Sequence, residues 1–370
     1  MVERADIIII GGGIAGISAA ARLVANATLV VLEQETSPGT HATGRSAATY
    51  IRSYGNSTLR ALNAASHADL ASPPSDLAER TLLSPRGLLY VATADQGNAL
   101  DQEMDGIEGL SEISLDEAAE HFPILDPGSL ARAAYEPDAS DIDVDLLFQG
   151  FLRQIRTAGG RLITNAKVTA MSRAGSQWHV QTPAGAFEAP VVIDAAGAWA
   201  DHVATLAGVP SKQLVPKRRS AATLPPPEEY NIAQWPLVAS ISEEWYTKPV
   251  AGRLLVSPAD QDPVEPMDAW PDEMVLAEGL DRFERSTTIK VSRVEHKWAG
   301  LRTFAPDKSP VVGFDDAAPG FFWLAGQGGY GIQTSPALSR IAADLILTGT
   351  TDVVAPEVLD NIRPGREALN

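Results

Sequence analysis

Residues 7–23, IIIIGGGIAGISAAARL, with ATLVVLE behind them at residues 27–33, decide how this chain folds. Four consecutive Ile read as a buried strand, and Gly11, Gly13 and Gly16 occupy the G-x-G-x-x-G positions. Gly11 permits the tight turn, Gly13 lets the backbone approach a pyrophosphate, and Gly16 lets helix and strand pack closely. A helix is predicted from Ile17 to Ala25 with its N-terminus aimed at the turn. Its dipole and unpaired N–H groups favour phosphate charge there. Residues 27–33 form a second strand ending in Glu33, a carboxylate able to accept hydrogen bonds from both ribose hydroxyls. The glycines alone carry little weight. Strand, glycines, helix, strand and acid in this order point to an adenine dinucleotide site.

Composition bounds the remainder. A chain of 370 residues holds two ordinary domains, or one large core with an inserted layer. With 45 % apolar and 21 % charged residues it reads as globular. The net charge of −18 repels a phosphate backbone and argues against nucleic acid as a partner. Eight of the acids lie in residues 261–284 and read as a solvated acidic surface. The chain has no Cys, which excludes disulfides, thiolate metal sites and a flavin attached through sulfur. The His residues show no metal-ligand spacing, so no metal is expected. No apolar run approaches the ~20 residues of a membrane span. The first strand starts close to Met1, leaving no secretory signal ahead of it, so a cytoplasmic protein is expected.

Along the chain, residues 37–55 are rich in Gly, Ser and Thr without a period, as expected of a surface loop or a ligand wrap. Helices are predicted over 57–70, from the N-cap Ser114 to Pro123, and over 141–160, where Leu146, Leu147, Phe151 and Ile155 make the apolar stripe. GLLYVATA (87–94) reads as a strand, as do RLIT, AKVTAM, WHVQT and APVVIDAAG within 161–197. Residues 212–309 alternate strands with Pro-rich loops around one helix near 273–285, suggesting an antiparallel sheet. GFFWLAG (320–326) returns to a buried strand, and a helix follows with Leu338, Ile341, Ala342, Leu345 and Ile346 on its inner face. The expected division is a discontinuous nucleotide domain (1–80, 141–210, 300–360) and a substrate domain (81–140, 211–299).

Taken together, IIIIGGGIAG, GTHATGRSAA, LLSPRG, DIDVDLLFQGFLR, DAAGAWAD, PKRRSA, YTKP, WAGLRTF and GGYGIQTS resemble the D-amino acid oxidase family of flavoproteins. That family includes glycine and sarcosine oxidases, and the stretches look like those of its bacterial D-arginine dehydrogenase branch. The resemblance implies an α/β (α+β) chain: a Rossmann-like FAD-binding domain with a mixed or antiparallel substrate sheet, in a glutathione-reductase-like architecture. The FAD would be held non-covalently. Gly11, Gly13 and Gly16, with Ile14, Ala15, Glu33 and Gln34, would hold the ADP half, and Val168 would meet adenine through its backbone. Arg45, Ser46 and Ala47 would lie along the pyrophosphate and flavin, with Ala196, Gly197 and Trp199 at the second strand end. Gly328, Gly329, Tyr330, Gly331 and Ile332 would sit at the flavin pyrimidine ring, where a helix N-terminus stabilises negative charge.

The resemblance further implies oxidation of D-amino acids to 2-oxo acids and ammonia by hydride transfer from the α-carbon to the flavin. Arg302 would clamp the substrate carboxylate with its planar fork, and Arg219 would add a second cation. Tyr54 and Tyr246 are the matching phenols. On a strand over 213–222, Lys217 and Arg219 share one face and Arg218 the other. The arginine-specific branch has Glu at the position of Leu88 and His at that of Thr49. A preference for neutral, apolar D-amino acids over D-Arg is therefore expected, since burying an unpaired cation is costly. The electron acceptor (a quinone, a protein or O2) is not legible. Glycine- or sarcosine-type amine oxidation, an NAD-dependent dehydrogenase and a non-catalytic flavin scaffold remain open at this point.

Overall fold

The computed structural model describes residues 2–369. Its centre is a six-stranded sheet in the order 161–163, 29–32, 7–10, 191–194, 321–325, 311–314. Five of these strands run parallel, and Val311–Phe314 closes the edge antiparallel. Side chains alternate across a strand, so Ile7, Ile9, Val31, Ile193 and Phe322 pack beneath the helices Ile14–Leu23, Ser57–Ala71, Val144–Thr157 and Gly331–Leu347. Ile8, Ile10, Val30, Val192 and Trp323 face the other way, onto Trp178, Val180 and Phe187 of a four-stranded sheet. Burial on both faces is why these strands read as unbroken apolar runs. Ligands of such sheets bind beyond the carboxyl ends of the strands, here at Ile10, Leu32 and Asp194.

A nine-stranded sheet stands against that end, in the order 327–328, 296–304, 215–224, 253–257, 246–250, 237–240, 88–92, 132–136, 111–113. It is antiparallel except where Leu237–Ser240 runs parallel to Leu88–Ala92. Leu89, Val91, Val238, Leu254 and Val256 turn to one face, under Phe122, Trp235, Trp245 and Phe283. The alternate residues of the same strands turn toward the nucleotide side, and this inner face supplies Arg219, Tyr246, Leu255 and Arg302 to the cleft. Among the described residues no helix is long and apolar enough to cross a membrane.

Several element bounds differ from the sequence expectation. The first helix starts at Ile14, not Ile17, because extended Gly13 caps it and places Gly16 in its first turn. Residues 140–142 form a strand, and Asp143 caps the helix that begins at Val144 through a bond from the Leu146 N–H. Of AKVTAM, only Ala170 and Met171 are in a strand, which continues to Ala174. His296–Phe304 is a single strand of the large sheet running across the boundary expected at 300. Some acids of 261–284 hold cations: Asp268 binds Arg45 at 2.5 Å, and Asp262 and Asp272 each lie 3.8 Å from Arg218.

Asp194 ends the strand Val191–Asp194 fully buried. Its Oδ1 accepts the Ala196 N–H at 3.1 Å, while Oδ2 has no partner among the described residues. Burial pushes this carboxyl well above its usual range. It is therefore protonated when folded at pH values where the unfolded chain ionises it, so its stabilising contribution is full below the unfolded pKa and is lost as pH rises toward the folded one. Asp194→Asn keeps the acceptor and removes the titration. Its melting temperature is expected to gain on that of the parent as pH rises above the ordinary carboxylate range. A pH-independent offset would contradict this.

Candidate active site

A large cleft runs between the two sheets. At one end stands the glycine turn. Gly11 has φ +110°, and a Cβ there would lie 2.4 Å from the Ala195 carbonyl oxygen. A Cβ on Gly16 would come within 2.0 Å of the Gly11 oxygen. Gly13 differs: its hypothetical Cβ meets only the Thr43 hydroxyl, at 3.4 Å, so the space beside it belongs to the cleft. Glu33 is buried, with Oε2 accepting the Gly12 N–H at 2.7 Å and Oε1 the Glu35 N–H at 2.8 Å. Each oxygen keeps a free lone pair. Gln34, Val168, Ala196, Gly197 and Trp199 line the same end, and Gly197 leaves open space where a side chain would stand.

Two helix N-termini face this cleft, and in neither does the N-cap residue supply a capping side chain: Gly13 precedes Ile14–Leu23 and Tyr330 precedes Gly331–Leu347. The Ile14 N–H donates to the Thr43 hydroxyl at 2.9 Å, and the next N–H groups of that turn, with those that open Gly331–Leu347, face an anionic ligand. Ile14, Ala15, Gly328, Gly329, Gly331 and Ile332 line the cleft beside them. Ser46 and Ala47 lie along its length with Arg45, whose Nη1 donates to the carbonyls of Ala269 (3.0 Å) and Ala299 (2.9 Å). Arg45 thereby ties the dinucleotide side to the large sheet.

Arg302 stands at the far end. It is directly opposite Lys217 in the antiparallel register, and its guanidinium lies against Gly329, where a Cβ would be 2.9–3.1 Å from Nη1, Cζ and Nε. Arg219 shares the face, aimed by a 2.8 Å bond from its Nε to the Asp260 carbonyl, with Cζ 5.9 Å from the centre of the Tyr246 ring. Burial, then the charge of Arg302, draws the Arg219 guanidinium below its ordinary pKa. A second, smaller cavity opens here between Tyr54, Tyr330, Arg219 and Arg302. The two phenol rings lie 4.7 Å apart. Burial, then Tyr54, pushes the Tyr330 phenol far up, so it remains a neutral hydrogen-bond donor and not a base. Arg218 points to the opposite side of the sheet, toward Asp260, Asp262 and Asp272.

Two expected substrate contacts lie elsewhere. Leu88 is fully buried and packs with Ile51 behind Tyr54 and Tyr246, lining neither cavity. Thr49 also lies off the cleft, 3.4 Å from the Nζ of Lys248. The strand Leu88–Ala92 is the seventh of the sheet, two places beyond the strand that carries Tyr246. Sequence reasoning also missed the side chains that hold Tyr54. Gln333 Oε1 accepts the Ile51 N–H at 3.0 Å, and its Nε2 donates to Asn63 Oδ1 at 2.8 Å. Asn63 Nδ2 donates to the Tyr54 carbonyl at 3.1 Å. These partners are 270 residues apart, and no local pattern joins them. Glu243 and Lys308, on the wall of the small cavity, occupy loop positions with positive φ and left no sequence signal.

The sequence profile of a family described as DAO, FAD dependent oxidoreductase, matches residues 6–345. The chain belongs to this family. FAD is accordingly its cofactor, and the glycine turn, buried Glu33, two helix N-termini and long cleft fit that molecule. Similar FAD-dependent oxidoreductases include the FAD-dependent oxidoreductase domain-containing protein 1 of Mus musculus, 26 % identical across 94 % of this chain and 82 % of that one. Glycine oxidase of Geobacillus kaustophilus is 26 % identical across 94 % of each chain. Human mitochondrial dimethylglycine dehydrogenase is 25 % identical across 64 % of this chain, a match that spans only 29 % of that longer protein. Among solved structures, the Geobacillus glycine oxidase superposes with TM-score 0.83 at 24 % identity, covering 95 % of this chain and 96 % of that one. L-α-glycerophosphate oxidase from Mycoplasma pneumoniae with FAD bound gives 0.84 at 18 %, covering 96 % and 97 %. The fold is thus shared by enzymes named for amines and for an alcohol phosphate, and the substrate class has to be argued from the site.

Proposed function

We propose that this flavoprotein oxidises the C–N bond of a small amino acid to an imine, which water converts to a 2-oxo acid and an amine or ammonia. The observation that carries this reading is Arg302: a guanidinium at the end of the FAD cleft, packed on Gly329, without an ion-pair partner among the described residues. A planar fork of this kind suits a carboxylate, and a second cation, Arg219, stands beside it. FAD, held by the glycine turn and Glu33, would supply the acceptor for the hydride that leaves the α-carbon. The chain contributes position: Arg302 and Arg219 hold the carboxylate, Tyr246 lies across Arg219, and Tyr54 and Tyr330 close over the substrate. Such orientation supplies several kcal/mol, up to roughly 7–11 in well-aligned systems. No carboxylate or imidazole in the small cavity except the exposed Glu243 is available as a base, which fits loss of hydride from an amine already neutral.

Glycine oxidase and dimethylglycine dehydrogenase among the relatives favour glycine or an N-methylated glycine as substrate type over a D-amino acid. The D-amino acid reading uses the same clamp. Anaerobic mixing with glycine, N-methylglycine, N,N-dimethylglycine and D- and L-amino acids, following flavin absorbance, separates them. Bleaching by one of these classes is expected; bleaching by glycerol phosphate and by none of them would overturn the proposal.

Gly329 offers a finer check. A methyl group there would stand 2.9–3.1 Å from the Arg302 Nη1, Cζ and Nε, so the guanidinium has to shift. Gly329→Ala is expected to retain FAD and weaken binding of simple carboxylates, read from the flavin spectrum, by about tenfold. Unchanged affinity would place the carboxylate somewhere other than Arg302.

A further inference from the structure

The small cavity beside the clamp carries more positive charge than one carboxylate needs. Its wall includes Lys217, Arg219, Arg302 and Lys308, against a single carboxylate, Glu243. Glu243 is exposed, and its Oε2 accepts a 2.5 Å bond from Gln261. Lys217 is paired in register with Arg302, and Arg219 is two residues along the same strand face. Like charges placed directly opposite on one sheet face destabilise it. The neighbouring cation on the opposite face is treated differently: Arg218 has three carboxylates within 3.8 Å. None of the four cavity cations forms an ion pair with a described residue. Lys217 instead lies with Nζ 5.6 Å from the centre of the Phe304 ring. Leu88 and Thr49, the two positions behind the expectation of a neutral side chain, line no part of this wall.

We infer that this cavity is a subsite for a second anionic group of the substrate, so that the preferred substrate is an amino or imino acid carrying two carboxylates. The inference rests on the amine-oxidation reading above and names its substrate class. Arg302 and Arg219, which line both cavities, hold the carboxylate next to the reacting carbon. Lys217 and Lys308, on the outer wall, meet the distal one. A D-arginine or D-lysine side chain would meet the like charges of Lys217 and Lys308 in the same place, whereas the single side-chain carboxylate of aspartate or glutamate offsets one of them.

The test compares acidic amino acids with their amides, which match them in shape and lack the charge. With the FAD-loaded protein under anaerobic conditions, aspartate or glutamate of the reactive configuration is expected to reduce the flavin at concentrations about tenfold lower than asparagine or glutamine. The gap should narrow with added salt. As a measure independent of turnover, succinate or glutarate should perturb the flavin spectrum at about tenfold lower concentration than butyrate. Lys308→Met and Lys217→Met should each shrink both ratios. If Lys217→Met fails to fold, Lys308→Met and the dicarboxylate titration decide alone. Reduction by glycine or neutral amino acids with no advantage for acidic ones would overturn this inference and leave the amine-oxidation reading standing. Absence of reduction by any amino acid would overturn both.

Discussion

Arg302→Met is expected to lower kcat/KM for the amino-acid substrate by roughly 30- to 4,000-fold, the equivalent of losing about 2–5 kcal/mol from a buried charge pair. The guanidinium sits at the end of the cleft against Gly329, with no partner of its own, so its whole fork is free for a ligand. Met fills a similar volume without charge, and the substrate carboxylate would then enter a desolvated site facing only Arg219. Arg302→Lys is expected to fall between, because an ammonium keeps the charge and loses the two parallel donors. FAD content should stay at the parental level in both variants, since the glycine turn and Glu33 lie at the other end. The loss should appear in KM and kcat together, as the clamp both binds the substrate and aligns its α-hydrogen. Retention of more than about a third of kcat/KM by Arg302→Met would be inconsistent with a carboxylate at this residue.

The second large effect separates two kinds of glycine in one motif. Gly16→Ala places a methyl 2.0 Å from the Gly11 carbonyl oxygen, and the obstructing atom is backbone that cannot swing aside. This variant is expected to lose about 1–3 kcal/mol of stability or more and to purify without FAD. Gly11→Ala adds a left-handed backbone angle, φ +110°, to a 2.4 Å clash and should be at least as damaging. At Gly13 the backbone is extended and the nearest atom is 3.4 Å away, so Gly13→Ala should fold with a melting temperature near that of the apoprotein. It should nonetheless bind FAD more weakly, because the methyl occupies space meant for the pyrophosphate. Thermal melts of apo and FAD-loaded variants read both quantities. Equal damage by all three substitutions would show that the motif acts only as a packing element.

The nucleotide half was legible because its physics is local. Strands buried on both faces read as apolar runs, and Glu33 and the glycines sit at fixed spacing from them. The start of the first helix was misjudged by three residues because Gly16, a poor helix former, belongs to its first turn for reasons of packing. The inner face of the large sheet was half legible. Strand alternation placed Lys217 and Arg219 together and Arg218 apart, as the register shows, but could not say which face met the cleft. Leu88 lies in the layer behind Tyr54 and Tyr246 and lines neither cavity; an ungapped match carries position along the chain and not depth behind a surface. The Gln333–Asn63 pair behind Tyr54, and Glu243 and Lys308 near Arg302, come from segments far apart in the chain. Only the closed tertiary structure brings them together.

The most direct test of the central claim is a single anaerobic turnover. The FAD-loaded protein is mixed with one equivalent of an amino acid that bleaches it, and the products are counted. The account predicts one 2-oxo acid and one amine or ammonia per flavin reduced, and none in Arg302→Met on the same timescale. Bleaching without a 2-oxo acid, or at an equal rate in Arg302→Met, would contradict it.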